Sequence, residues 1–176
     1  MRALAVGSEA SALDPDYYVE SALTLNLAGQ KDRLEAVLHE GLGKYPDSPD
    51  LMNELAYFWA DQGRHLTEAL ALSRRAAELE PDNGPIIDTW GWVYFQMGQA
   101  KDALPYLQRA AFMTNNDPVV LQHVGDAYLK LGLRREAIAT WTRALEKDPR
   151  NGDLANRIDA ALAQAKNAQL RSAPRP

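Results

Sequence analysis

The side chains in this chain that could do chemistry are carboxylates and aromatics, not nucleophiles or metal ligands. There is no Cys, so thiol nucleophiles, disulfides and zinc–thiolate sites are excluded, while both cytoplasm and periplasm stay open. His39, His65 and His123 fall in separate parts of the sequence with no spacing suited to a metal site or a triad. A phosphate-cradling P-loop and the Gly-x-Gly-x-x-Gly fingerprint are both absent. Acid pairs such as Asp50 and Glu54 are common on solvated helix faces and do not by themselves make a general acid and base. The chain therefore reads as non-enzymatic, with no cofactor and no metal. What remains is recognition chemistry. Asp50, Glu54, Asp88 and Asp126 supply anionic groups, Asn53, Gln122 and His123 supply hydrogen-bonding neighbours, and Tyr57, Trp92 and Phe95 supply apolar anchors.

An internal repeat positions these residues. Gly91, Tyr94, Gly98, Ala103 and Ala110 recur 34 residues later as Gly125, Tyr128, Gly132, Ala137 and Ala144. Going backward, Ala56, Trp59 and Gly63 precede Gly91, Tyr94 and Gly98 by 35, whereas Ala69 and Ala76 precede Ala103 and Ala110 by 34. One residue is thus inserted in the turn Arg64–Leu66. A looser copy lies upstream, with Ala22, Leu25 and Gly29 in register with Ala56, Trp59 and Gly63. Within each copy a small residue marks where two helices must approach closely, and a Gly ends the first helix where a left-handed residue is wanted. Asp14-Pro15, Ser48-Pro49 and Asp117-Pro118 read as helix starts, a capping side chain followed by Pro at the first helical position.

This spacing resembles the tetratricopeptide repeat family, over Pro15 to Asn151. The resemblance implies an all-α, right-handed α-solenoid of four helical hairpins with a carboxy-terminal capping helix. The repeats are read at 15–48, 49–83, 84–117 and 118–151, the cap at 152–170 and a flexible tail at 171–176. Residues 1–14 are either a flexible leader or the remnant of an earlier helix. First helices are expected at 15–28, 49–62, 84–97 and 118–131, and second helices at 31–45, 66–80, 100–113 and 134–147. The cap is expected to bury Leu154, Ile158, Leu162 and Ala165. Trp90 and Tyr94 read as core, and Trp59 and Trp141 as packing within their own repeats.

In such a stack the first helices line the concave surface. They carry seven acids (Asp16, Glu20, Asp50, Glu54, Asp61, Asp88, Asp126) against one base, Lys130. This predicts an acidic groove with an aromatic floor at Tyr57, Trp92 and Phe95, although Asp16, Asp50 and Asp88 also suit helix N-termini, and Trp92 and Phe95 also suit packing between neighbouring first helices. Some members of the resembled family clamp a carboxylate tail with Lys, Arg and Asn; acids stand here where those bases would be. The block from Leu51 to Tyr94 also looks like the carboxy-terminal repeats of bacterial tetratricopeptide adaptors, some of them envelope lipoproteins, which implies an adaptor role.

Composition fits such a protein-binding module. A net charge of -5 over 176 residues disfavours nucleic acid and anionic membrane surfaces and favours basic or apolar-anchored protein partners. No apolar run approaches the roughly 18 residues that a spanning helix needs. Self-assembly into a homo-oligomer through the end repeats, and service as a regulatory domain of a larger enzyme, stand as alternatives.

Overall fold

The computed structural model describes residues 14–172, with side chains through Lys166. Residues 1–13 of the expected leader and 173–176 of the expected tail lie outside the described residues. All regular structure in this span is helical: α1 (Pro15–Leu27), α2 (Lys31–Lys44), α3 (Pro49–Asp61), α4 (Leu66–Leu79), α5 (Gly84–Gln96), α6 (Ala100–Met113), α7 (Pro118–Lys130), α8 (Arg134–Lys147) and α9 (Gly152–Ser172). Helices α1 to α8 start and stop within one residue of the bounds read from the sequence. They pack as hairpins α1–α2, α3–α4, α5–α6 and α7–α8, with α3 against both α1 and α5, and α5 against α7. The result is an all-α solenoid.

Local chemistry explains the element ends. Asp14, Ser48, Asn83 and Asp117 precede α1, α3, α5 and α7, and each side chain accepts a hydrogen bond from a backbone N–H of the first turn: Tyr17 at 3.0 Å, Leu51 at 3.4 Å, Ile86 at 3.4 Å and Val119 at 2.8 Å. These bonds satisfy donors that no intrahelical carbonyl can reach. Asn83 is the cap that the sequence reading left out. Gly63, Gly98 and Gly132 take φ of +64°, +80° and +79°, the left-handed geometry that a Cβ disfavours. The inserted residue falls in the α3–α4 turn, where His65 caps α4 at φ +50°.

Two interlocked apolar clusters fill the space between helices. One centres on α5 to α9 and contains Leu107, Leu121, Trp141 and Leu154; the other centres on α1 to α3 and contains Tyr18, Leu38, Leu51 and Trp59. The small residues set the spacing. A Cβ on Gly91 would meet the Leu107 side chain at 2.8 Å, and one on Gly125 would meet the Trp141 indole at 2.3 Å. Trp59 departs from expectation, because its indole N–H donates to Glu35 of α2 at 2.6 Å and so ties neighbouring hairpins. In α9 the buried stripe is Leu154, Ile158 and Ala161, whereas Leu162 is 49% exposed. The helical advance from Ile158 brings Ala161, not Leu162, back to the face that meets α8.

Substituting Gly125→Ala should therefore destabilise the fold by about 1–3 kcal/mol through overpacking against Trp141. Gly43, a helical glycine with nothing within 4 Å of a built Cβ, should instead gain up to about 1 kcal/mol on conversion to Ala. Thermal unfolding followed by circular dichroism separates the two signs.

Candidate interaction groove

Helices α1, α3, α5 and α7 lie side by side, and between them runs an open groove of about 650 Å³ that extends to the ends of α6 and α7. Leu23, Asn26, Asn53, Glu54, Tyr57, Asp88, Thr89 and Val119 line it, with Pro85, Met113, Thr114 and Val120 at one end. A smaller hollow continues from it, sharing Leu23, Asn26, Glu54 and Tyr57 and adding Phe58 and Asp61. Leu23 and Val119 are 57% and 48% exposed, so the groove presents apolar surface to solvent as well as charge. The residues at its Met113–Thr114 end were not foreseen. They reach the groove because α5 begins with Gly84, where the equivalent position in α3 and α7 is Pro49 or Pro118; a Cβ on Gly84 would meet Thr114 at 2.7 Å. A Gly at a position that otherwise carries Pro was the available signal.

The expected site residues divide into two groups. Asn53, Glu54, Tyr57 and Asp88 come together on the groove wall. Asp50 is exposed one turn before Glu54. Partial burial, then the carboxylates of Glu80 and Asp16, push its carboxyl up from the ordinary value. Burial and Asp50 raise Glu54 likewise, against a hydrogen bond from Asn53. The Tyr57 phenol is pushed up to about 12 by burial and then by Asp61, Asp88 and Glu54. The charges that raise Tyr57 are all negative, so the wall is acidic on balance.

Trp92, Phe95, Gln122, His123 and Asp126 do not line the groove, which corrects the expected aromatic floor at Trp92 and Phe95. Trp92 is only 8% exposed. Its indole stacks between His123, with centroids 4.0 Å apart, and Phe95, at 4.9 Å. The reason is position: α5 is flanked by α3 and α7, so its outward face is covered by its neighbours. His123 Nδ1 lies 2.8 Å from Asp88 Oδ2, and both residues are 6% exposed. This buried pair joins α5 to α7, and Asp88 Oδ1 is left without a hydrogen-bond partner. Gln122 donates to the Pro118 carbonyl at 3.2 Å and accepts from Asn151 at 3.5 Å. Asp126 accepts the Trp141 indole N–H at 3.0 Å and is ion-paired to Arg157 of α9. Burial nevertheless raises its carboxyl, outweighing Arg157.

Comparison with known proteins agrees with this architecture. A tetratricopeptide repeat family model matches residues 2–150. The chain belongs to the tetratricopeptide repeat family. Among its relatives is a tetratricopeptide repeat protein of Pseudomonas aeruginosa, 33% identical over 94 residues, which are 53% of this chain and 16% of that protein's length. The solved structure of Pseudomonas aeruginosa PilF is similar in fold, with a TM-score of 0.73 at 17% identity over 87% of this chain and 69% of that one. So is YrrB, described as a tetratricopeptide protein with an unusual peptide-binding site, with a TM-score of 0.60 at 23% identity over 89% and 80%. The tetratricopeptide solenoid is in general a protein–protein interaction architecture. Among the described residues no helix is long and apolar enough to cross a membrane.

Two outcomes follow from the buried charges. Glu54 is raised in the folded state, so its stabilising share is present at pH below its ordinary 4.5 and is lost as pH rises through the raised value. Glu54→Gln should therefore melt higher than the wild type at pH 7, with the gap closing as the pH falls below that value. Replacing His123 by Leu strands Asp88 in the interior and should lower stability by about 3 kcal/mol, measured by urea unfolding.

Proposed function

We propose that this chain is an adaptor that holds a basic, apolar-anchored segment of a partner protein in the groove between α1 and α7. The observation that carries the reading is the distribution of ion pairs. Arg64, Arg74, Arg75 and Arg109 pair with Glu35, Glu78, Asp47 and Asp82, away from the groove. On the inner face Asp16, Asp50, Glu54 and Asp61 have no Lys, Arg or His within ion-pair distance among the described residues. A row of acids left without cations beside exposed Leu23 and Val119 suits a segment that brings both positive charge and apolar side chains. The peptide-binding site named for YrrB supports the same use of a related fold.

Expected contacts differ from the sequence-level picture. Leu23, Tyr57 and Val119 take the anchoring role, because Trp92 is enclosed; Asp50 and Glu54 meet the basic groups, because Asp126 already holds Arg157. A second reading, end-to-end assembly of copies, draws on α1, where Tyr17 is 47% and Leu27 82% exposed.

The test is capture from the native host with the full chain, a Leu23→Lys/Val119→Lys groove variant and a Lys101→Glu variant outside the groove. Proteins retained by the wild type and by Lys101→Glu, and lost with the groove variant, are the expected partners; Tyr57→Ala should weaken them by about 2 kcal/mol. Equal retention by all three chains would overturn the groove, and a mass that grows with concentration in light scattering would favour assembly.

A further inference from the structure

We infer that the wall between α3 and α5 holds a subsite for one arginine side chain of the partner segment, formed by Asn53, Glu54, Tyr57 and Asp88. The inference rests on the groove reading above. Asn53 and Asp88 occupy equivalent repeat positions, 35 residues apart. Asn53 Oδ1 and Asp88 Oδ1 are both buried without a hydrogen-bond partner, and both residues line the same groove. At the third equivalent position the side-chain oxygen of Gln122 is filled by Asn151 at 3.5 Å. Buried acceptors left open are costly, and the group that completes them must be a donor. Asp88 is 6% exposed and its Oδ2 is held by His123, so Oδ1 is the oxygen left to accept a donor.

The chemistry narrows the donor further. Open acceptors on an acidic wall disfavour a carboxylate or phosphate ligand, and Glu54, which has no cation within ion-pair distance while Asp88 already faces His123, calls for one. Among the described residues no three His or acidic side chains converge to hold a metal ion, so the cation is organic. The chain also shows what one of its acids takes. Asp126 holds the Arg157 guanidinium, which lies over the Trp141 ring at 4.6 Å from its centroid. At the open subsite Glu54 stands for the acid and Tyr57 for the ring. A planar guanidinium, with five donors in a fork, can pair with Glu54, donate to Asn53 and lie on Tyr57 at once; a compact ammonium cannot.

Selection of displayed dodecapeptides on the full chain, in parallel on Glu54→Gln and Asn53→Ala variants of unchanged circular dichroism, tests this. Enriched peptides should carry arginine at one fixed position, and their synthetic forms should bind about tenfold more weakly to Glu54→Gln, and likewise after arginine is replaced by neutral citrulline. Lysine at that position should recover only part of the loss. Enriched peptides without a basic residue, equal binding to Glu54→Gln, or full recovery by lysine would overturn the arginine subsite and leave the groove standing. Peptides that bind the Leu23→Lys/Val119→Lys variant as well as the wild type would overturn the groove itself.

Discussion

The close approach of each first helix to its partner is the constraint on which the rest of this structure depends. At Gly125 the indole of Trp141 occupies the volume that a side chain would need, and at Gly91 Leu107 does the same. Ala69, Ala103 and Ala137 are fully buried on the second helices, so the hairpins close at short range and their large residues interdigitate. Because the same contact recurs at a fixed spacing, each hairpin stacks on the last with the first helices along one side, and that side becomes a concave wall. The groove is a by-product of helix spacing before it is anything else.

Within that wall the charges follow two regimes. Acids at the edges and on the second helices meet arginines close by, and those exposed pairs contribute little to stability. Acids on the inner face are placed where burial and mutual repulsion raise their protonation, as at Glu54 and Asp50. The Asp88–His123 pair joins two first helices in the interior, sealed by the stacked ring of Trp92. Fold stability is not improved by leaving Glu54 charged and Asp88 Oδ1 unbonded, and such local departures from consistency are expected where a protein binds something.

Much of this was legible in the sequence. The spacing of Gly91, Gly98 and Ala103 against Gly125, Gly132 and Ala137 fixes both helix bounds and hairpin pairing, because packing and turn geometry each demand a small residue at one place. The acidity of the inner face was equally plain from counting. Which outward residues stay free was not, since a helical wheel shows the direction of Trp92 and His123 but not that the two rings bury each other where α5 meets α7. Leu162 shows the same limit at single-residue scale: apolar type at four-residue spacing pointed to burial, whereas Ala161 fits the actual advance of α9. The role of Asn151 and Arg157 depends on contacts about 30 residues away in sequence, which no periodicity encodes.

The pairing of Arg157 with Asp126 gives the row of first-helix acids a direction. Toward α9 the acid of α7 is paired with a helix of the same chain, whereas Asp16, Asp50, Glu54 and Asp61 on α1 and α3 have no such partner. The negative potential is therefore strongest toward the α1 end, and the basic segment proposed above would be drawn there first, before any short-range contact forms. Capture would then proceed by threading from one end rather than by settling along the whole length, with its rate, more than its final strength, answering to ionic strength.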